Sequence, residues 1–273
     1  MDAQTRRAQA FKALHEREGA FVIPNPWDAG SAKMLASLGF EALATTSAGY
    51  AFSLGRPDGA AGLDDTLANV RAIVAATDLP VAVDLENGFA DEPEACARSL
   101  IRAAQAGAVG GSIEDATGRE DSPIYGFEYA VARVKAAAEA VRSLPYPFVL
   151  TARAENFLHG NPDLDDTIRR LKAFADAGAD VLYAPGLNSA EQVLAVVQAV
   201  APKPVNVLMS GALDLTVAQL SEMGVKRISV GSALALAAYG EFFRAAEEIR
   251  EQGSFTFTRR SMPFNQANQL FKG

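Results

Sequence analysis

Short apolar runs recur along the chain, and stretches with helical periodicity fill the gaps between them. The runs are AFVIP (20–24), ALATTS (42–47), PVAVDLE (80–86), VGGSIED (109–115), PFVLTAR (147–153), DVLYAPG (180–186), PVNVLM (204–209) and RISVGS (227–232). All are short and rich in Val, Ile, Leu or Thr, the pattern of strands buried on both faces. Segments such as LDDTLANVRAIVAAT, AVARVKAAAEAVRSL, DDTIRRLKAFADAGAD and SAEQVLAVVQAV carry the 3.6-residue period of helices that hide one face. Start signals sit where they should: Ser189 with Gln192 three residues on predicts a capping box, and Asp91 before Glu92-Pro93 predicts an N-cap. Gly107 and Gly178 are placed as C-terminal helix stops.

Eight strands alternating with eight helices predict a (β/α)₈ TIM barrel. A doubly wound open sheet is the alternative, but AFVIPNPWDAGSA lacks the glycine-rich nucleotide loop expected after its first strand. No linker or low-complexity tract divides the chain, so residues 1–273 are expected to form a single barrel domain. The stretch at about 254–273, FTFTRRSMPFNQANQLFKG with its preceding serine, falls outside the repeat and is expected to pack on a neighbouring subunit.

Charge narrows the partners. The 33 acids outnumber the 25 bases, for a formal charge of −8, which argues against nucleic acid and anionic membranes. A small anionic carboxylate stays admissible, because a bound cation or an arginine inverts the field locally. The single cysteine, Cys96, rules out an intrachain disulfide and suits a reducing cytoplasm. The polar N-terminus has no signal core, and no run reaches the roughly 20 apolar residues of a membrane span.

The polar residues gather where a barrel does its chemistry, at the C-terminal ends of strands. The second strand runs into Thr45-Thr46-Ser47-Ala48-Gly49, the third into Asp84 and Glu86, the fourth into Glu114-Asp115, the fifth into Arg153 and Glu155, and the seventh carries Asn206. Strand alternation puts Asp84 and Glu86 on one face, where like charges need a cation or water between them. Oxygen ligands without histidine or thiolate select Mg²⁺, with Mn²⁺ as a substitute, over zinc. The competing reading is an acid cluster paired with Arg153. Arg153 has the fork to grip a substrate carboxylate, or else bridges to Glu155 or Glu114 and stiffens the rim. The amides of Ser47, Ala48 and Gly49 are candidates to cradle an oxyanion, against the plain reading of a βα turn.

The set TTSAGYA, Asp58 in GRPDG, VDLENGF, SIEDATG and LTARAENF resembles the phosphoenolpyruvate mutase/isocitrate lyase superfamily, in order and spacing across nearly the whole barrel. The resemblance implies a Mg²⁺-dependent enzyme that makes or breaks a C–C or P–C bond beside a 2-oxo acid through an enolate. It implies Asp84 as direct metal ligand, with Asp58, Glu86 and Glu114 holding metal-bound waters. Ser47, Ala48 and Gly49 would bind the oxo acid, Arg153 would face its carboxylate, and Asn206 would line the pocket. It also implies a homo-oligomer, tetramer or dimer, with the helix in SALALAAYGEFFRAAEEIREQ exchanged between barrels.

Two departures follow. The family's Asp-x-Asp is Asp84-x-Glu86 here, and the lyase Lys-x-Cys-Gly loop is replaced by DATGREDSPIYG, with Glu120 and Ser122 at the aligned positions. Serine without a partnering base does no thiolate chemistry, so the expected activity shifts to oxaloacetate-type decarboxylation, which begins without a protein base. Tyr50, Ser122, Tyr125 and His159 are candidate proton donors, with Arg153 and Glu114 completing the catalytic set, while Cys96 is expected to pack. Gly231-Ser232 suggests an alternative phosphate-handling mutase or hydrolase. A non-catalytic oxo-acid binder is the third reading.

Overall fold

Each predicted apolar run contains a parallel strand in the computed structural model, which describes residues 1–211 and 213–272. The strands are β1 (Phe21–Ile23), β2 (Leu43–Ala44), β3 (Val81–Asp84), β4 (Gly110–Glu114), β5 (Val149–Arg153), β6 (Val181–Tyr183), β7 (Val205–Leu208) and β8 (Arg227–Ser229). They lie in the order β1-β8-β7-β6-β5-β4-β3-β2. Between β1 and β2 the Ala44 amide donates to the Pro24 carbonyl at 3.1 Å, and the Asn25 side chain donates to the Thr45 carbonyl at 3.1 Å. The chain is a single (β/α)₈ barrel.

The outer helices are α2 (Ala29–Ser37), α4 (Leu63–Ala76), α5 (Pro93–Gln105), α6 (Phe127–Arg142), α7 (Leu164–Asp176), α8 (Ala190–Val200), α9 (Val217–Glu222) and α10 (Ala233–Gln252). Their inward stripes form the main core with the outer faces of the strands: Leu100 and Cys96 of α5, Leu171 and Phe174 of α7, and Val193 and Val196 of α8 are fully covered. Each such large side chain contributes about 1.5–3 kcal/mol by leaving water. Three helices fall outside the eightfold repeat: α1 (Ala3–Glu16), the short α3 (Ser47–Ser53) and α11 (Phe264–Phe271). Helix α1 lays Ala8, Phe11 and Leu14 against Phe21, Ala42, Ala82, Val149 and Val181, stopping the N-terminal end of the barrel with apolar side chains.

Local signals held in most places. Gly107 and Gly178 end α5 and α7 with φ of +104° and +112°, and Ser189 accepts from the Gln192 amide. Gln192, however, returns its side chain to the amide of Asn188 rather than of Ser189. Asp91 is not the N-cap of α5; Glu92 takes that position without a side-chain bond, and Asp91 instead accepts from Arg119 and Tyr125. The tail also finds a contact within its own chain. Within this chain α11 returns to its own barrel, packing Phe271 beside Gly30 of α2, with the Lys33 ammonium 3.5 Å from the Phe271 carbonyl. Gly273 lies outside the described residues.

Candidate active site

Side chains on the inward pleat of the strands line a cavity of about 220 Å³ at the C-terminal mouth. Its charged members are Asp58, Asp84, Arg153 and Arg227, joined by Ser47, Ala48, Ser112, Thr151, Tyr183, Asn206 and Ser229. A larger hollow of about 560 Å³ opens at the other end among Lys12, His15, Arg142 and Pro147, with no comparable convergence of acids. The acids and arginines converge at the mouth.

Arg153 organises the rim. Its Nη1 lies 3.1 Å from Asp84 Oδ1 and 3.2 Å from Glu114 Oε2, and its Nε donates to Glu155 Oε1 at 2.8 Å. Burial works against the guanidinium's charge, yet Glu155, Glu114 and Asp84 together raise its pKa well above the ordinary arginine value. The rim-stiffening bridges and the acid cluster of the sequence reading are thus the same object. Asp84 is fixed from several sides: Ser112 Oγ donates to its Oδ1 at 3.3 Å, the Glu86 amide to the same oxygen at 3.3 Å, and the Ser47 amide to Oδ2 at 3.4 Å.

Glu86 arrives by a different route from the one expected. The strand ends at Asp84, and Glu86 takes a left-handed φ of +49°, so pleat alternation does not place it. The turn nevertheless keeps it close. Burial first, then the charges of Asp84 and Asp58, push the Glu86 carboxyl up to about 7. Burial and Asp84 likewise raise Asp58, and burial raises Glu114 well above the usual carboxylate range despite Arg153.

One guanidinium therefore faces more negative charge than it can neutralise, which is the condition a divalent cation relieves. Among the described residues no three His, Cys, Asp or Glu side chains stand close enough for a ready-made cage. Mg²⁺ does not require one, since it takes one or two carboxylates and keeps its waters, and all-oxygen donors match its hardness. The residues fit the ion.

Other predicted site residues separate. Asn206 is in the cavity wall, and Ser47 and Ala48 line the mouth. Gly49 does not join them, because its amide donates to Thr46 Oγ1, the N-cap of α3. Tyr50 lies near Asp65 and Arg56 and does not line the cavity. Ser122 is exposed on the 115–126 loop, where its carbonyl accepts from the Thr117 hydroxyl. Tyr125 is buried with its hydroxyl on Asp91, and His159 is exposed. None of these four candidate donors lines the mouth cavity. Cys96 is buried beside Gly88 and its thiol is raised by burial, as a packing residue should be. The Val230 and Gly231 amides both donate to Asn25 Oδ1 at 2.9 Å, which removes them as phosphate donors. Sequence reasoning passed over Tyr183, Ser112, Thr151, Ser229 and Arg227. Ser112 and Thr151 stand two residues before Glu114 and Arg153, so the strand period alone points them inward.

A parallel barrel with an arginine-centred acid cluster over a small polar cavity defines a (β/α)₈ enzyme built for small polar substrates. The family model described as phosphoenolpyruvate phosphomutase matches residues 11–250. The chain belongs to the phosphoenolpyruvate mutase/isocitrate lyase superfamily. A crystal structure from Burkholderia cenocepacia J2315, described as of a lyase/mutase, is 58% identical and superposes with a TM-score of 0.97, covering 100% of this chain and 98% of that one. The 2-methylisocitrate lyase of Escherichia coli (strain K12) is 30% identical over 260 residues, 90% of this chain and 85% of its own. The oxaloacetate decarboxylase of Paraburkholderia xenovorans (strain LB400) is 31% identical over 238 residues, 83% of this chain and 77% of its own. Among the described residues no helix is long and apolar enough to cross a membrane.

Proposed function

We propose that this enzyme is a Mg²⁺-dependent lyase acting on a small 2-oxo or 2-hydroxy carboxylate through an enolate, with oxaloacetate-type decarboxylation as its leading activity. The observation that carries this reading is the surplus of carboxylate around Arg153 at the mouth of a 220 Å³ cavity. The space suits a substrate of a few carbons and excludes bulky acyl carriers. The relatives named as lyase and decarboxylase support the class.

Asp84 is the residue suited to bind the ion directly, and Asp58, Glu86 and Glu114 would hold its waters. The ion, when bound, supplies an electron sink for charge developing on the oxo oxygen. Arg153, held by these acids at the cavity edge, would grip the substrate carboxylate through its guanidinium fork. Ser47 and Ala48 bound the same end of the cavity, and Asn206 bounds its side. The 115–126 loop, which selects substrate in such a barrel, carries no thiol; this disfavours the cysteine-dependent cleavage of isocitrate-type substrates.

The test is oxaloacetate turnover with Mg²⁺, with EDTA, and in an Asp84→Ala variant. Turnover is expected with Mg²⁺ and is expected to fall by about 10²–10³-fold in the other two. Equal rates in all three would overturn the proposal.

A further inference from the structure

Side chains of the cavity wall form a directed chain of hydrogen bonds. Arg227, the first residue of β8, is 6% exposed and makes no ion pair among the described residues. Its Nη2 donates to Thr151 Oγ1 at 2.9 Å and its Nε donates to Asn206 Oδ1 at 2.9 Å. An arginine only donates, so this bond fixes which end of the Asn206 amide is oxygen. Asn206 Nδ2 then donates to Ser229 Oγ at 2.9 Å, which leaves the serine proton free to be given onward. Beside it stands the Tyr183 phenol, which burial pushes up to about 12 and whose anion the Ser229 hydroxyl would favour. Tyr183 is 8% exposed and lines the mouth cavity. The Arg153 guanidinium stands 5.1 Å from the centre of the Tyr183 ring, beside the acid cluster.

We propose that Tyr183 is the catalytic acid that protonates the enolate, with Arg227, Asn206 and Ser229 as its positioning residues. This deepens the lyase reading and rests on it. In the decarboxylation of oxaloacetate the C3–C4 bond breaks, carbon dioxide leaves, and the electron pair stays on the enolate. Carbon 3 then takes the proton of Tyr183 Oη: a C–H bond forms and the O–H bond breaks. The phenolate left behind is stabilised by the Ser229 hydroxyl and the Arg153 cation at its ring, and it regains a proton from water. The four donor candidates that sequence suggested lie off the cavity wall, and this phenol is on it.

The test is the stereochemistry of the product methyl. Oxaloacetate carrying tritium stereospecifically at carbon 3 is decarboxylated with Mg²⁺ in deuterium oxide, by wild type and by Tyr183→Phe. A fixed donor on one face gives pyruvate with a chiral methyl. The expected result is a chiral methyl from wild type and a racemic one from Tyr183→Phe. Carbon dioxide release should stay within about tenfold and oxalate affinity by calorimetry within about threefold, because C–C cleavage precedes proton transfer. A chiral methyl from Tyr183→Phe assigns the proton to another group and overturns the proposal. A racemic methyl from wild type overturns it as well, while leaving the decarboxylase reading intact. No carbon dioxide release from wild type overturns both. Should Tyr183→Phe fail to fold, Ser229→Ala serves in its place: partial racemisation is expected, and full retention overturns the positioning chain.

Discussion

Removing the Arg153 guanidinium would leave Asp84, Glu114 and Glu155 facing one another at the barrel mouth, with Glu155 only 2% exposed. Arg153→Met is therefore expected to lose about 3–5 kcal/mol of metal-free stability at neutral pH, the usual cost of a buried charge left unpaired. Urea unfolding in EDTA measures this, and the loss should shrink at pH 5 as the raised acids take up protons. His15 gives a second, independent prediction. Wedged between the rings of Phe11 and Phe21, its imidazole is pulled by burial from 6.5 down to about 3. The unfolded chain then binds the extra proton between pH 6.5 and 3, so this contribution is complete above 6.5 and fades as pH falls through that window. A variant with His15→Leu should show a flatter pH–stability curve there, by about 3–5 kcal/mol across the window. At this scale the charged half of the site was legible, because an acid or arginine closing an apolar run has few structural excuses. Tyr183 and Arg227 were not, since an aromatic in a strand and a cation at a strand start each have an ordinary reading, and only the three-dimensional cavity shows both on its wall.

Among the elements, the turn after β3 sets the geometry of the rim. Gly88 within it has φ +76°, and a methyl group there would meet Cys96 of α5, with Cβ 3.1 Å and Cα 3.2 Å away. Gly88→Ala is expected to cost about 2–4 kcal/mol in denaturant midpoint analysis. Adding Cys96→Ala should return only part, because the left-handed backbone remains strained. The 115–126 loop is tied to the same turn through Asp91, which accepts from both Arg119 and Tyr125, while Ala116 and Ile124 bridge its base. Asp91→Asn should quicken tryptic cleavage at Arg119 severalfold while shifting stability by less than about 1 kcal/mol, as for exposed ion pairs. The strands themselves were readable from apolar runs because every one is covered on its outer face by a helix. What the runs did not show is where the pleat stops: Glu86 was assigned by alternation to a strand that had already ended, and Asp91 was assigned to a cap when two long side chains of another loop claim it.

For the whole molecule the outer surface of α10 and the tail leave large apolar groups in water, with Phe242 72% and Phe264 79% exposed and Phe243 and Phe255 also uncovered. A lone subunit rarely tolerates this, and we propose that the face is covered in a homo-oligomer. Light scattering should find a dimer or tetramer, and Phe242→Glu with Phe243→Glu should shift the mass toward the single chain. The barrel's own join lies elsewhere. The first and second staves are held together by a single main-chain bond, reinforced by the Asn25 amide, whereas the fourth and fifth run in register over five residues. A hoop opens at its weakest stave, so amide hydrogens flanking that join should exchange with solvent earliest. Because Ser47 and Ala48 hang from the same join, brief partings there would widen the entrance a keto acid uses, making the least-stitched part of the wall also its doorway.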